Sequence, residues 1–403
     1  MENNRTFLEK LLDGAEVEWK PLWSITTWDK RFNAVEKEKQ PKVIKYHYYL
    51  ASELKPLIVD GGNVKLLTTN ESDIWTTEEL VQNNISEGEI IAIPWGGNPI
   101  VQYYKGKFVT ADNRIATSNN TKILDNKFLY YFLLSKLDVI SSFYRGSGIK
   151  HPSMYHVLEM LIPIPSLSVQ TEIVRILDAL TALTSELTSE LTLRRKQYEY
   201  YREKLLSFDS LERLNEGGGK KKLIDVAIYT KVRISADKLN KENYVGVENL
   251  LQNKLGKTSS NYVPTEGSFI EYLPNDILIG NIRPYLRKIW LADKTGGTNG
   301  DVLVIRLTDK NILPRYLYHI LANEHFFEYN VKYSKGAKMP RGDKAAILQY
   351  EFDVPPLEEQ HRIVSILDKF ETLTNSITEG LPLAIEQSQK RYEYYRELLL
   401  NFE

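Results

Sequence analysis

The chain has 403 residues, 42% hydrophobic and 26% charged, with a formal net charge of −1, an ordinary balance for two or more folded domains in water. It contains no cysteine, which excludes a disulfide framework and a thiolate metal site. It shows neither a signal peptide nor an apolar run of about 18 residues, so a cytoplasmic location and no membrane contact are expected.

In chain order, residues 1–15 carry a short helical signal, FLEKLL, closed by Asp13-Gly14. Glu9-Lys-Leu-Leu12 returns as Glu203-Lys-Leu-Leu206, so the N-terminus reads as the tail of a truncated helical repeat. Residues 16–162 form a first globule. Within it, 89–94 and 107–110 read as strands, WGGNP at 95–99 as a turn, 127–135 as a helix and FYRGSGIKHP at 143–152 as a polar loop. Residues 163–210 read as a long helix, and 211–222, containing GGGKKK, as a linker. A second globule spans 223–351; between 276 and 290 it reads strand, turn at Arg283-Pro284, strand. Residues 352–403 read as a second long helix.

The two helices are copies of one segment. Gln170, Ile173, Val174, Ile176, Leu177 and Asp178 recur 190 positions later as Gln360, Ile363, Val364, Ile366, Leu367 and Asp368. Tyr198-Glu-Tyr-Tyr-Arg-Glu203 recurs 194 positions later as Tyr392-Glu-Tyr-Tyr-Arg-Glu397. The four-residue difference in offset predicts about one extra helical turn in the second copy. Apolar residues at Ile173, Ile176, Leu180, Leu183, Leu187 and Leu191, and at Ile363, Ile366, Phe370, Leu373, Ile377 and Leu381, form one narrow stripe on each. Such stripes want each other, which predicts an antiparallel coiled coil. The globules match faintly: Phe128-Leu-Tyr against Tyr316-Leu-Tyr, and Gly148-Ile-Lys-His-Pro152 against Gly336-Ala-Lys-Met-Pro340, both 188 positions apart. The expected fold is therefore α+β, with two similar globular domains joined by two long antiparallel helices and related by a pseudo-two-fold axis.

Charge is unevenly divided. Residues 16–162 sum to 0, residues 220–351 to +7 and residues 352–403 to −5. A basic globule beside acidic helices points to a polyanion on one and protein partners on the other. No phosphate-binding glycine loop, clustered metal spacing among the histidines, amino-methyltransferase motif or nucleophile elbow is present, so no catalysis and no metal are expected of this chain. What remains are cations, amides and aromatics in loops. These are Trp95, Asn98, Arg145, Lys150 and His151 in the first globule. In the second they are Asn281, Arg283, Tyr285, Arg287, Lys288, Lys335, Lys338 and Arg341. Arginine and asparagine are the usual readers of base edges, and lysine supplies phosphate contacts. A coiled-coil adaptor that binds proteins rather than DNA is the other reading.

The motifs Gln170-x-x-Ile-Val-x-Ile-Leu-Asp178 and Arg194-Arg-Lys-Gln-Tyr-x-Tyr-Tyr-Arg202, with their second copies, resemble the specificity subunits of type I restriction–modification enzymes. The opening Leu8-Glu-Lys-Leu-Leu-Asp-Gly14 with Glu18-Trp19, and the tandem TSEL units at 184–187 and 188–191, resemble the type IC subgroup. The resemblance implies two target-recognition domains, each reading half of a split site in double-stranded DNA. It also implies two modification and two restriction subunits as partners, which would carry S-adenosylmethionine, ATP and magnesium, leaving no cofactor on this chain. In this reading Thr184, Leu187, Thr188 and Leu191 belong to a spacer. One four-residue unit adds about 6 Å of helix, against about 3.4 Å per base pair.

Overall fold

The computed structural model describes residues 17–207, 219–376 and 378–402. The helical tail expected at 1–15, most of the 211–222 linker and Ile377 of the second stripe lie outside the described residues. The chain divides into two units, residues 1–185 with 387–403 and residues 186–386, so each takes one part of both long helical segments.

The first unit opens with strands β1 Glu18–Pro21, β2 Thr26–Trp28, β3 Val64–Leu67, β4 Trp75–Thr76, β5 Ser86–Pro94, β6 Gln102–Thr110 and β7 Asn113–Ser118. Short strands β8 Tyr144–Arg145 and β9 His151–Pro152 follow, then β10 Leu161–Ile164. Six of them make one sheet in the order β2-β7-β5-β6-β3-β4, with β3 and β6 the parallel pair. The run Ile90-Ile-Ala-Ile93 in β5 is wholly buried, because the sheet is covered on both faces. Ile91 and Ile93 pack on Phe128, Leu129, Phe132 and Leu133 of the helix Asn126–Ser135, while Ile90 and Ala92 join Leu67, Phe108 and Ile115. Asp125 caps that helix, its Oδ1 accepting from the Lys127 and Phe128 amides at 2.8 Å.

The second unit contains β11 Gly219–Lys222, β12 Ala227–Tyr229, β13 Arg233–Ser235, β14 Tyr244–Val245, β15 Ser268–Tyr272, β16 Ile277–Gly280, β17 Ile289–Leu291, β18 Gly296–Thr298, β19 Val302–Leu307 and β20 Glu351–Val354. Its sheet β12-β19-β16-β17 repeats β2-β7-β5-β6 of the first unit strand for strand. A separate sheet, β13-β15-β18-β14, takes the place of the β3-β4 extension. Each unit also closes on an antiparallel pair, β1 with β10 and β11 with β20. The fully buried Leu22 and Leu223 follow, donating their amides to the Met160 and Tyr350 carbonyls at 2.9 and 3.0 Å. The fold is α+β, with two domains of one design.

The first long helix is unbroken over Leu167–Leu205, about 58 Å at ~1.5 Å per residue. The second is not one helix. After β20 it runs Leu357–Asn375, breaks, and resumes at Gly380–Leu400. The extra residues of the second copy form this break instead of adding a turn. Gly380 sits there at φ +79°, where a Cβ would lie 2.6 Å from the Thr372 carbonyl oxygen.

Within each unit the helices pack antiparallel. In the first, Ile173 and Leu177 share a core with Leu399 and Leu400, and Thr184 hydrogen-bonds Ser388 at 2.8 Å. In the second, the Tyr198 and Tyr201 rings stack on Phe370 at 6.0 and 5.6 Å. Along the first helix Ile173 and Leu177 are fully buried and Leu180, Thr184, Leu187 and Leu191 half-buried, at alternating steps of four and three. This seam differs from the expected stripe: Leu183 is exposed, and the half-buried Thr184, hydrogen-bonded to the buried Ser388, takes its place. Likewise Leu367 and Thr374, not Ile366 and Leu373, are the buried members after Ile363. Each fully buried aliphatic in such a seam contributes about 1.5–3 kcal/mol.

Candidate nucleic-acid interface

In the first unit the chain leaves β5 through the turn at 95–99 and enters β6. Two backbone bonds fix the turn: Trp95 N–H to the Asp112 carbonyl at 3.0 Å, and Gly97 N–H to the Lys150 carbonyl at 3.1 Å. Lys150 belongs to the hairpin β8–β9, in which Arg145 pairs with His151. The polar loop expected at 143–152 is thus a closed hairpin with residues 146–150 at its tip. Gly146 has φ +144°, and a Cβ on it would come within 2.8 Å of the Ile149 carbonyl oxygen, so only glycine fits.

The second unit repeats this construction. Beyond β16, Asn281 N–H donates to the Asp301 carbonyl at 2.8 Å and Arg283 N–H to the Pro340 carbonyl at 2.7 Å. Lys335 and Arg341 exchange both backbone hydrogen bonds at 2.8 Å, closing a hairpin whose tip is residues 336–340. Gly336, at φ +102°, stands where Gly146 does. Arg283, at φ +53°, stands where the first unit has Gly97 at φ +101°. The register of the hairpins is therefore Gly146 with Gly336, Ile149 with Met339, Lys150 with Pro340 and His151 with Arg341. The expected match of Gly148–Pro152 to Gly336–Pro340 is two residues out. It aligned the second glycine of one tip with the first of the other.

The structure sorts the candidate residues. Arg145 and Lys150 in the first unit, and Arg283 and Lys338 in the second, have exposed side chains with no hydrogen bond or ion pair among the described residues. Asn98 and Tyr285 are likewise exposed. Trp95 is half-buried, its ring 4.0 Å from the Arg114 guanidinium and 5.2 Å from the His151 ring. His151 Nδ1 lies 2.6 Å from the Trp95 carbonyl oxygen and donates to it. These two lock turn to hairpin. Arg287, also at positive φ, pairs with Glu324, and Lys288 donates to the Val247 carbonyl at 2.7 Å, its burial pushing the ammonium below its usual range. Lys335 pairs with Asp343 at 2.5 Å and Arg341 with Asp301 at 3.0 Å. Asn281 is a correction. Its side chain is buried, facing Asn330 across Gly342, where a Cβ would meet the two amide oxygens at 2.8 and 2.4 Å. It shapes the loop from within. Ile149 and Met339 are exposed at equivalent points of the two tips, an equivalence that the match at 188 positions hides.

One cluster among the described residues, His319, Asp368 and Glu371, has ligand-like spacing. The Arg315 guanidinium already fills it, donating to Asp368 at 2.7 Å and Glu371 at 2.9 Å, while His319 Nε2 lies 2.8 Å from Asp368. Burial pushes the Asp368 carboxyl up, but the bonds from His319 and Arg315 outweigh it and hold it below its ordinary value. The first unit makes the same joint with other residues, Lys127 and Tyr131 reaching Asp178 at 2.7 and 2.5 Å. The cluster fastens globule to helix. No helix among the described residues is long and apolar enough to cross a membrane.

Two like domains on paired helices, each offering a loop pair with unpaired cations, define a class of twofold recognition proteins. The type I restriction modification DNA specificity domain matches the chain twice, over residues 33–193 and 215–387. The chain belongs to that family: it is a specificity subunit of the type I restriction–modification class, a non-catalytic component whose general role is recognition of DNA sequence. A type I restriction enzyme specificity subunit of Haemophilus influenzae is 39% identical over the whole of both chains. The EcoR124I/EcoR124II specificity subunit of Escherichia coli is 33% identical, covering 98% of this chain and 97% of its own. The crystal structure of the type I S subunit from M. genitalium shares the fold at a TM-score of 0.61 and 16% identity, over 96% of this chain and 97% of that one.

Proposed function

We propose that the two units read the two halves of a bipartite, asymmetric site in double-stranded DNA, through the paired loops at 95–99 with 146–150 and at 281–287 with 336–340. The observation that carries this reading is the recurrence of one loop pair in both units, each with exposed, unpaired cations and a different set of side chains. A shared scaffold with different loops suits two different half-sites. Arg283, Arg145, Lys150 and Lys338 are the candidate contacts to bases and phosphates, with Asn98 and Tyr285 beside them. Trp95, His151, Arg287, Lys288, Lys335 and Arg341 hold those loops in place. The helix Leu167–Leu205, with its two TSEL units, sets the number of unread base pairs between the half-sites.

In this reading the helices dock two modification subunits, which carry S-adenosylmethionine and methylate adenine. Two restriction subunits then add ATP- and magnesium-dependent translocation and cleavage. The chain supplies specificity and holds no cofactor. Titration of DNA binding with salt tests the proposal: affinity falls steeply with salt, and a split site is preferred to random duplex by at least about 10³-fold. Binding that is indifferent to salt and sequence would favour a protein-binding adaptor.

A further inference from the structure

Ile149 and Met339 occupy the same position in the two hairpins, third after the positive-φ glycine, and are 70% and 51% exposed. One exposed aliphatic needs no explanation. Two at one structural position, in tips that otherwise read Gly-Ser-Gly-x-Lys and Gly-Ala-Lys-x-Pro, point to a use. Neither tip has an apolar core of its own to fill. Ile149 is also propped from behind: its Cγ2 lies against the Gly96 backbone, where a Cβ would come within 2.9 Å of it. Around the two residues stand the unpaired cations, Arg145 and Lys150 in one unit and Arg283 and Lys338 in the other.

An exposed apolar group on a loop that also carries free cations fits a ligand that is anionic outside and apolar at one point within. Phosphate contacts neutralise charge but carry no sequence information. In the major groove the apolar feature on a base edge is the 5-methyl group of thymine. We propose that Ile149 and Met339 each seat against the 5-methyl group of one thymine in the half-site read by their unit. These contacts, and not the cations alone, then select an A·T pair there. An apolar wedge between stacked bases is the other way such side chains meet a duplex, and the test below separates the two. This inference rests on the DNA-reading function proposed above.

The test uses the full chain assembled with its modification subunits, on duplexes carrying the motif methylated in cells. Each thymine of the motif is replaced singly by uracil, which deletes only the methyl group. For the unsubstituted protein, uracil at one position in each half-site should weaken binding roughly three- to ten-fold, as loss of one buried methyl contact does. Ile149→Ala should abolish that sensitivity in one half-site and leave the other intact, and Met339→Ala should do the converse. Both side chains are exposed, so unfolding temperatures should not move. The inference is overturned if the complex binds its motif specifically but neither variant changes the response to any uracil. It is also overturned if the variants instead suppress a 2-aminopurine unstacking signal, which would mark a wedge. Absence of salt-dependent, site-specific binding by the unsubstituted complex overturns the proposed function, and this contact with it.

Discussion

Gln170 and Gln360 make the same three hydrogen bonds in the two units. Gln170 accepts the Asp125 amide at 2.9 Å and donates to the Ile123 and Pro165 carbonyls at 2.8 and 2.9 Å. Gln360 accepts the Leu313 amide at 2.9 Å and donates to the Asn311 and Pro355 carbonyls at 2.9 and 2.8 Å. Both are fully buried, so each ties the start of a long helix to the loop before a core helix. Replacement by alanine strands buried backbone groups and should destabilise its own unit by about 2–4 kcal/mol. Denaturant unfolding with hydrogen exchange would show this, with protection lost over 126–135 for Gln170→Ala and over 314–321 for Gln360→Ala. A change below about 0.5 kcal/mol would mean that these bonds are dispensable.

Stability of the second unit should fall in acid through His319. Burial holds this imidazole below its ordinary value near 6.5, despite the opposing pull of Asp368 and Glu371. The folded state then takes up the proton only at lower pH than the unfolded chain does. The stability is fully present above about pH 6.5 and drains away as pH falls below it. His319→Gln should flatten the profile over that interval. An unaltered profile would show that another group governs it. The first unit has Tyr131 at this joint and should lack the effect.

Arg283 holds the position that the first unit gives to Gly97, and its left-handed backbone carries strain of roughly 1–2 kcal/mol. Arg283→Gly should raise the stability of the second unit by about 1 kcal/mol while relaxing one base of one half-site, a loss of about 1–3 kcal/mol in binding. Melting curves and methylome sequencing measure the two effects separately. Stability gained with the methylated motif unchanged would remove Arg283 from the recognition surface.

Free and engaged cations should behave differently. Lys338→Ala should lower the slope of log affinity against log salt by about 1 without changing the bases read. Lys288 is tied to the Val247 carbonyl, so Lys288→Ala should chiefly loosen the loop and reduce stability. Equal salt slopes for the two variants would contradict this division.

Much of the architecture was legible because identity between the helical copies is high and their periodicity strong. The buried run in β5 and the turn at Arg283-Pro284 were legible for the same local reasons. The sequence could not say which cations were free, because Lys288, Lys335 and Arg341 look like Lys338 until Val247, Asp343 and Asp301 are placed beside them. Nor could it register the hairpins. A chance match of Gly-x-Lys-x-Pro outweighed the true one, which is fixed by two positive-φ glycines and two backbone hydrogen bonds. Asn281 was misjudged for a related reason: an asparagine after a strand looks exposed until the chain folds over it. The place of Thr184 beside the second helix was not legible either, because it depends on a hydroxyl partner, Ser388, 204 residues away.

The most direct test is to sequence the methylated motif in cells carrying this chain with its partner subunits, beside a variant lacking residues 188–191. The intact chain should give a split, asymmetric motif. The variant should keep the same bases in both halves and have a shorter gap between them, since about 6 Å of helix has gone. A continuous motif, or a change in the bases read on shortening the helix, would contradict this reading.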